Sequence, residues 1–527
     1  MYPQGPLNQS PFNLDSAGLA GFFGGDETIS AMATVHLYRG RRWLGWYNSP
    51  GSYSVAKRYG QLANSRFWDG LFPGPNPEPA EAFGLDGKAG PRYVASLSGT
   101  DMTTGHLAYL LIQRSKELDA ERVEGRPSTE TLPAAVTVVR VGDVTYDDQV
   151  EMMSTNHALL ATIPITVSFA TCFVCAVVRD WFAFSLILLG ILSSGISCFV
   201  VGTAKMHLQS QKNVTEGVPP GDGLLLTPRD VVVLKGAEKD VNAITKGKFF
   251  LDMRGGKEYR AVGLCSLLLV AQFLIQLLLT PQATLFGQIM FLSSFAVSWM
   301  YNSFLSSLEN EKVQGDILCK ALREKIQQKL LVETLKVTQS SKFKLGTRTT
   351  AAVFTTLVLR PRSSTKPQPP SQTEPKPSST NKFLKYFLPN ETAVWDEWRE
   401  HVGSHIEATN WTRNTNRQDV NKDLESLKKY DSTRLSTKDE PLFAKLLKDA
   451  VDAFEGYYKF LNPPGDQGDG KGNRAISWSS SESSKPLLTN VPAVDLQAQG
   501  LRAPSALVSC SSTYMHSLVI PYFSLLI

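Results

Sequence analysis

The sequence predicts an α-helical integral membrane protein, with four transmembrane helices arranged as two tight hairpins, a cytosolic α+β module and a helical C-terminal region. Three observations predict this class. Two long apolar blocks lie between about residues 157 and 305, a short tip interrupts each block once, and Lys and Arg are concentrated away from these tips. Average values of 42% hydrophobic and 20% charged residues conceal this pattern because the remainder of the 527 residues is polar.

Changes in composition along the chain set the expected boundaries. The apolar blocks separate water-exposed segments, and a Pro/Ser-rich stretch indicates a linker because such sequences favour extended chain. We expect a cytosolic N-terminal region (1–156), transmembrane hairpin 1 (157–201), a cytosolic α+β connection (202–260), transmembrane hairpin 2 (261–305), a juxtamembrane helix and strand (306–360), a Pro/Ser linker (361–380), a helical region (381–462) and a low-complexity tail (463–527).

Each arm of the two hairpins has the length of a membrane span. The arms of hairpin 1 contain about 21 residues, or about 31 Å of helix, which matches a hydrocarbon core about 30 Å thick. Arg179 and Asp180 separate these arms, and Pro281, which cannot continue a helix, separates the arms of hairpin 2. Lipid offers the backbone no hydrogen-bond partners, so each arm is expected to be helical.

The distribution of Lys and Arg predicts the orientation. Arg179 is the basic residue at the tips, whereas the other ends of the arms are flanked by Lys205, Lys212, Lys246, Lys248, Arg254, Lys257, Arg260, Lys312, Lys320, Arg323 and Lys325. Cytosolic flanks carry the excess of Lys and Arg. The connection and both chain termini are therefore expected on the cytosolic side of the membrane, and the sequence does not indicate which organelle this membrane encloses. The sequons at Asn213, Asn390 and Asn410 then stay unglycosylated.

The predicted spans contain no Asp, Glu, Lys or Arg, although ion-coupled transporters and proton relays use such groups inside the membrane. Their small and polar residues are Gly190, Ser194 and Ser197 on one face of the second span, Gln272 and Gln276 on the third, and Gln288 on the fourth. Small residues allow close helix approach, and amides hydrogen-bond between helices. We interpret these six as helix-packing candidates in a self-packed bundle or a homo-oligomer; a pore lined by the glutamines is the alternative.

Two other patterns suggest chemistry but favour structural roles. Cys172 and Cys175 form a C-x-x-C inside the first span, where neither water nor a positive field would activate a thiolate. His401 and His405 have a metal-compatible spacing, but Val402 stands where a zincin motif has Glu. The sequence therefore predicts no catalytic, cofactor-binding or metal-binding residue, and no cofactor.

The water-exposed segments contain both helical and strand patterns. Residues 104–123 predict an amphipathic helix, and the connection predicts strands in LLLTPRDVVVLKG and KGKFFLDM around a short helix in AEKDVNAIT. The stretch 306–337 predicts a helix continuing the fourth span, with an apolar residue at every fourth position (Leu318, Leu322, Ile326 and Leu330). The Thr- and Val-rich stretch 342–361 predicts a further strand joining the sheet of the connection.

Residues 36–60 combine basic and aromatic side chains. Such a segment is typical either of a loop packed on its own domain or of contact with lipid headgroups. Nucleic acid is not an expected partner, because no part of the chain carries a strong basic stripe.

The run from VGDVTYDDQVEMMSTNHALLATIP through both hairpins to GTRTTAAVF is similar to a family of uncharacterised multi-spanning membrane proteins of mushroom-forming (basidiomycete) fungi. The resemblance covers about residues 136–360. It implies a multi-pass membrane fold and no activity, ligand or catalytic residue.

Three functions are compatible with these observations. The leading hypothesis is a non-enzymatic scaffold or membrane-organising protein that contacts the lipid bilayer and binds protein partners on its cytosolic side. The alternatives are a facilitative transporter or channel component, and a membrane-tethered enzyme. The glutamines distinguish the scaffold from the transporter or channel. Replacing Gln272, Gln276 and Gln288 by Leu abolishes flux through a pore but leaves the partners of a scaffold unchanged.

Overall fold

The computed structural model describes most of the chain. Its described residues are 25–63, 65–127, 131–142, 147–154, 156–209, 215, 217–253, 257–330, 341–360, 379–412, 415–430 and 435–462. The predicted tail (463–527) and all but the last two residues of the predicted Pro/Ser linker lie outside them.

The N-terminal region folds into short helices and strands. These are α1 (Asp26–Met32), α2 (Thr34–Leu37), a 3₁₀ helix (Arg41–Trp43), α3 (Ser52–Leu62), α4 (Arg66–Leu71), α5 (Pro79–Ala82), β1 (Arg92–Ala95), β2 (Asp101–Thr103), α6 (His106–Lys116), β3 (Glu121–Arg122), β4 (Ala134–Arg140) and β5 (Asp147–Gln149). The amphipathic helix predicted over 104–123 is therefore confirmed in its central part, as α6.

The first apolar block forms a helical hairpin. It consists of a 3₁₀ helix (Asn156–Ala161), α7 (Thr162–Val178) and α8 (Trp181–Val201). Arg179 ends α7 in the left-handed region, with φ of +64°. Asp180 begins α8, and its Oδ1 accepts a hydrogen bond of 3.1 Å from the backbone N–H of Ala183. The chain thus reverses over the two residues that the sequence indicated.

The connection contains β6 (Lys205–Gln209), β7 (Gly223–Leu226), β8 (Asp230–Lys235), α9 (Glu238–Thr245) and β9 (Lys248–Asp252). The strands and the short helix predicted for this segment are confirmed.

The second apolar block also forms a helical hairpin, made of α10 (Lys257–Leu279), a 3₁₀ helix (Thr280–Gln282) and α11 (Leu285–Ser307). Thr284 caps α11, because its hydroxyl accepts a 3.1 Å hydrogen bond from the N–H of Gly287. The backbone N–H of Thr284 donates to Asp180 Oδ2 at 2.9 Å. Asp180 is 4% exposed. Its hydrogen bonds to Ala183 and Thr284 join the tips of the two hairpins. We call α7, α8, α10 and α11 the bundle.

Among the described residues, three helical segments are long and apolar enough to cross a membrane: Leu159–Val178, Trp181–Val201 and Arg260–Gln282. The helix predicted as the fourth span, α11, has 23 residues but a more polar composition, with Gln288, Asn302 and several serines. Length and composition alone therefore identify three candidate spans.

The remainder of the described chain is mainly helical. It contains α12 (Asn310–Leu330), β10 (Ser341–Leu345), α13 (Arg348–Leu359), α14 (Ser379–Phe387), α15 (Ala393–Ala408), α16 (Arg417–Lys428) and α17 (Glu440–Leu461).

One prediction for this region is wrong, and a second is right only in part. The helix after the fourth span is not continuous with it, because Leu308 has an extended backbone between α11 and α12; the predicted end of this helix lies outside the described residues. The stretch predicted as a strand is a strand only in β10 and then becomes the buried helix α13. Its threonines fit a helix because their hydroxyls donate to carbonyls one turn back, as Thr356 does to Ala352 O at 2.7 Å.

The strands form two sheets that join distant parts of the chain. The larger has the order β2-β1-β7-β8-β4-β10-β3, and the smaller has the order β5-β6-β9. In the larger sheet β4 pairs in parallel with β8 and antiparallel with β10. Because β4 precedes hairpin 1, β8 lies between the hairpins and β10 follows hairpin 2, one sheet holds all three water-exposed segments together.

Both faces of the inner strands β4 and β8 of the larger sheet are buried, which explains their valine-rich sequences. Val136 and Val233 face a hydrophobic cluster formed with α13 to α17, whereas Val232 and Leu234 face a second cluster formed with α6, α9 and α12. Successive residues of a strand point to opposite faces, so a strand covered on both sides is apolar throughout. We call the two sheets with α6, α9 and α12 to α17 the platform.

Candidate functional site

Residues 44–49 of the N-terminal region, here called the insert, lie between the helices of the bundle. A Cβ atom placed on Gly45 would lie 2.3 Å from Cys198 Cβ of α8. A Cβ placed on Gly195 of the same helix would lie 2.2 Å from the Trp46 ring. Such distances are shorter than any real contact, so glycine at both positions allows the insert to pack directly on α8.

Glycines also set the path of the insert. Gly40 and Gly51 flank it with φ of +82° and +75°, a region that favours glycine. Inside the turn, the N–H of Tyr47 donates to Gly45 O at 2.9 Å. Non-helical backbone at membrane depth is tolerated where protein surrounds it and satisfies its polar groups.

Asn48 lies at the centre of the bundle and meets all four of its helices. Its backbone N–H donates to Ser168 Oγ of α7 at 3.0 Å, and its Nδ2 donates to Ser294 Oγ of α11 at 2.8 Å. Its Oδ1 accepts from Gln276 Nε2 of α10 at 3.4 Å. On α8, a Cβ atom at Gly190 would lie 1.9 Å from Asn48 Oδ1, so this glycine makes room for the amide. One fully buried residue therefore contacts the four helices through its backbone and its side chain.

The two glutamines of α10 extend this network. Gln276 Nε2 also donates to the backbone carbonyl of Leu186 in α8, at 3.2 Å. Gln276 Oε1 accepts from Gln272 Nε2 at 3.3 Å. Both glutamines are buried, with exposures of 6% and 0%. Their amide groups are occupied largely by contacts inside the protein.

The structure brings together five of the six residues that the sequence singled out. Gly190 and Gln276 contact Asn48, while Ser194, Ser197 and Gln272 line a small cavity next to it. Gln288 lies elsewhere, because its Nε2 donates to Ala283 O at 3.0 Å near the tip of hairpin 2. All six lie on bundle helices and are at least partly buried.

Arg41 precedes the insert and is buried, with 3% exposure. Its guanidinium donates to Leu44 O at 2.8 Å and to Tyr47 Oη at 3.1 Å. It also lies 3.8 Å from Cys198 Sγ and 5.5 Å from the centre of the Tyr301 ring. Each of these partners is uncharged.

Tyr47, which accepts a hydrogen bond from Arg41, is also bonded to α11. Its hydroxyl donates to Asn302 Oδ1 at 2.9 Å, which requires a protonated phenol. Asn302 Nδ2 in turn lies 3.1 Å from Thr28 Oγ1 and 3.2 Å from Ser49 Oγ. The hydrogen-bonded chain thus runs from Arg41 through the insert to α11 and α1.

A cavity of about 60 Å³ lies beside these groups. Helices α1, α3, α8, α10 and α11 all contribute to its wall, together with the insert. Its polar lining residues are Thr28, Arg41, Tyr47, Ser49, Ser52, Tyr59, Ser194, Ser197, Gln272 and Asn302.

A larger groove of about 810 Å³ is lined by α6 and the beginning of α12 of the platform, and by residues of α1, α3 and α5 of the N-terminal region. Both signs of charge line it. Arg114 Nη2 lies 3.0 Å from Asp316, and Lys312 Nζ lies 3.4 Å from Glu117. The cationic Arg58 and Lys116 on its rim are exposed. A groove of this size and charge suits a peptide segment with charged side chains.

Buried carboxylates occur in α17 of the platform. Asp449 is fully buried; its Oδ1 accepts from Arg126 Nε at 2.8 Å, and its Oδ2 accepts from Arg126 Nη2. Asp452 lies almost one turn further along the helix. Burial, followed by the negative charge of Asp449, raises the pKa of Asp452 to about 6.

The other patterns that suggested chemistry have structural partners. His401 Nε2 lies 2.9 Å from Leu427 O, and His405 Nδ1 lies 2.9 Å from His401 O, so these imidazoles contact backbone carbonyls. Cys172 and Cys175 are buried in the bundle as free thiols. The described part of the chain contains no group of three or more His, Cys, Asp or Glu residues arranged to hold a metal ion.

Sequence reasoning missed the residues that organise this site. Arg41, Tyr47 and Asn48 belong to the basic and aromatic segment that was interpreted as a loop or a headgroup contact. One signal was available in that segment: residues 43–56 contain no charged residue and are rich in Gly and Ser. Asn302 was counted only as part of the fourth span.

Comparisons with known proteins give no assignment: no protein-family model, curated protein or solved structure matches this chain significantly.

Proposed function

We propose that the protein is a non-enzymatic membrane scaffold with four transmembrane helices, which holds a partner-binding platform against the cytosolic face of a membrane. The observation that carries the proposal is the shared architecture of bundle and platform. The insert links the N-terminal region to all four bundle helices, and one sheet links the segments before, between and after the hairpins.

Exposed apolar side chains on the bundle support a lipid environment. Phe173, Leu264 and Leu278 are 69%, 66% and 69% exposed on helices α7 and α10. Trp181 and Trp43 are exposed near opposite ends of α8, where tryptophans are enriched at membrane–water interfaces. A bundle that is polar inside and apolar outside fits lipid better than water.

The sheet topology supports an even number of crossings, and thus α11 as a fourth span. With three crossings, the segment after hairpin 2 would lie on the opposite side of the membrane from the N-terminal region. Strand β10 of that segment pairs with β4 of the N-terminal region over five residue pairs. The polar residues of α11 do not oppose a crossing, because Ser294 and Asn302 face the insert rather than lipid.

The orientation follows from the basic residues around the platform. Arg179 is at the tip of hairpin 1, whereas Lys205 and Lys248 flank the platform ends of the helices. The positive-inside tendency therefore favours a cytosolic platform with cytosolic chain termini. Membership in the fungal family that residues 136–360 resemble remains a prediction.

The geometry supports a scaffold over a pore. A pore lined by Gln272, Gln276 and Gln288 needs amides that face water. Gln272 and Gln276 are instead buried and bonded to each other, and Asn48 lies across the centre of the bundle. A bundle closed in this way provides a rigid support, and the groove between α6 and α12 provides a surface for a charged peptide.

Glycosylation mapping in a eukaryotic cell tests the topology. We expect Asn390 and Asn410 to stay unmodified, and a sequon-bearing loop inserted after Gln282 at the tip of hairpin 2 to be glycosylated. Glycosidase treatment would then shift only the loop-bearing protein on a gel. Glycosylation of Asn390 or Asn410 would place the C-terminal region on the opposite side and contradict the proposal.

Proximity labelling from a biotin ligase fused to the C-terminus tests the scaffold. Arg58→Glu with Lys116→Glu reverses the charge of the groove rim and should remove most of the reproducible neighbours. Lys422→Glu with Lys428→Glu makes the same charge change on exposed residues of α16 and should leave them unchanged. If the original protein and both double variants had the same neighbours, a partner bound in the groove would be contradicted.

The same assay separates the scaffold from a pore. Replacing Gln272, Gln276 and Gln288 by Leu should leave the neighbour set intact in the folded protein. Loss of solute flux in reconstituted vesicles, with unchanged neighbours, would favour the pore instead.

A further inference from the structure

The cavity beside the insert is built around a buried positive charge. Arg41 is 3% exposed, and its side chain remains charged at any physiological pH. Its partners in the described part of the chain are the carbonyl of Leu44, the hydroxyl of Tyr47, the sulfur of Cys198 and two tyrosine rings. None of them carries a negative charge.

A buried charge without a counter-charge is costly, and proteins normally pair it. The hydrogen bonds and ring faces around Arg41 offset part of this cost. Arg41 Nε has no hydrogen-bond partner in the described protein although it is fully enclosed. The guanidinium therefore retains an unneutralised charge, and Arg41 lines the cavity of about 60 Å³.

The size of the cavity limits what fits. A water molecule needs roughly 10–15 Å³ of such a volume, so the space holds several waters. A halide, or a small planar oxyanion such as formate, nitrate or bicarbonate, fits this volume and matches the single positive charge of Arg41, whereas phosphate near neutral pH is largely divalent and would leave a buried negative charge. The planar fork of an arginine matches the geometry of a carboxylate-like anion, and the hydroxyl of Ser52 in the wall can donate to it.

We propose that Arg41 and the cavity between the insert, α8 and α10 form a binding site for one small monovalent anion. The site goes beyond the scaffold function and does not depend on it. Its bound anion neutralises Arg41 and thereby stabilises the insert inside the bundle.

The test uses the full chain, purified in detergent, in sodium gluconate at constant ionic strength. Chloride, bromide, nitrate, formate, bicarbonate and phosphate each replace gluconate in a titration, and the thermal unfolding midpoint is recorded. Ligands that bind only the folded state raise this midpoint in a concentration-dependent manner. We expect a saturable rise with one or more of the five small monovalent anions and none with phosphate. A preference for chloride and bromide indicates a halide site, and a preference for formate and bicarbonate indicates an oxyanion site.

Two variants make the result specific. Arg41→Gln should lose the response, with apparent affinity reduced at least tenfold, whereas Arg42→Gln should respond like the original protein, because Arg42 lies over the Trp43 ring. Equal responses of the original protein and Arg41→Gln would show a general salt effect and overturn the proposal. The absence of any response in the original protein would also overturn it, and would indicate that the cavity holds water.

A direct measurement of anion binding keeps the test valid if Arg41→Gln does not fold. Chloride-35 NMR line broadening by the original protein should be reversed by an anion that competes for the site. Arg41→Lys, which keeps the charge but not the planar fork, should keep the broadening by chloride. Broadening that no competing anion reverses would contradict a defined site.

Discussion

The platform and the bundle are both tightly filled, but by opposite kinds of side chain. In the platform, Val136, Val233 and Trp398 are fully or almost fully buried among other apolar groups. In the centre of the bundle, Asn48 and Ser294 are buried to the same degree. Their polar groups are joined by hydrogen bonds that connect four helices and the insert.

The surroundings of each region explain this difference. In the proposed arrangement the platform faces water, so burial of apolar surface drives its packing. A membrane bundle faces lipid, which is as apolar as leucine, and its helices associate through close packing and hydrogen bonds. The apolar outer surface of the bundle then matches its lipid surroundings, whereas its polar interior holds the helices together.

The largest expected effect is in the platform. Trp398→Ala removes a fully buried ring from the cluster between α13 and α17 and should lower the free energy of unfolding by about 3–5 kcal/mol. Circular dichroism during denaturation in detergent measures this. Trp43→Ala, at a ring that is 53% exposed, should cost less than about 1 kcal/mol. Similar losses for both would show that apolar packing does not dominate the platform.

A smaller effect is expected where the insert meets α8. Gly190→Ala places a Cβ 1.9 Å from Asn48 Oδ1 and should cost about 1–3 kcal/mol, because the insert must shift. Gly70→Ala is the matched control, since a Cβ there meets nothing within 4 Å and helix propensity favours alanine. Denaturation of both variants in detergent checks this. If Gly190→Ala were as stable as the original protein, the insert would not occupy the bundle as described.

In α17, Asp452 gives a pH-dependent effect of intermediate size. Its folded-state pKa of about 6 lies above the unfolded value of 3.8. The folded state therefore holds the proton more tightly, so the stabilisation is complete below pH 3.8 and is lost as pH rises through 6. Asp452→Asn should be more stable than the original protein at pH 7.5, by about 1 kcal/mol after allowance for its half-exposed position.

Thermal unfolding at several pH values checks this prediction. The difference between Asp452→Asn and the original protein should shrink as pH falls below 6 and vanish below 4. A difference independent of pH would mean that the carboxyl group does not titrate in this range.

The smallest expected effect is the coupling energy of one hydrogen bond in the bundle. A double-mutant cycle of Asn48→Ala with Ser294→Ala should give about 0.6 kcal/mol, the average for such bonds inside membrane proteins. Ser293, the neighbour of Ser294, donates instead to Ile289 O. A cycle of Asn48→Ala with Ser293→Ala should give no coupling, and a value equal to that of Ser294 would contradict the contact.

Much of the fold was predictable because simple forces dominate it. Long apolar runs interrupted by Arg179–Asp180 and by Pro281 gave two helical hairpins, since helices satisfy the backbone in lipid. The valine-rich run of β8 gave a buried strand. The prediction from local sequence was wrong at α13, where β-branched residues favoured a strand. Burial on all sides and hydroxyl bonds to the preceding turn outweigh that preference.

The site was only half predictable. Gln272, Gln276 and Gly190 stood out because polar or small residues are uncommon in apolar helices. Asn48 and Arg41 did not, because nothing in their own segment reveals partners that lie more than 100 residues away in the chain. Such long-range contacts depend on the tertiary fold, which local patterns do not contain.

The most direct test of the central claim is a cross-link between segments on either side of both hairpins. Ala135 of β4 pairs with Lys344 of β10, so Ala135→Cys with Lys344→Cys should form a disulfide in native membranes under mild oxidation, identified by mass spectrometry of the linked peptides. Arg140→Cys with Lys344→Cys is the control, because Arg140 lies about 17 Å further along the strand. A link in the first pair alone is the predicted result. The absence of that link, together with glycosylation at Asn390, would place the two strands on opposite sides of the membrane and contradict the account.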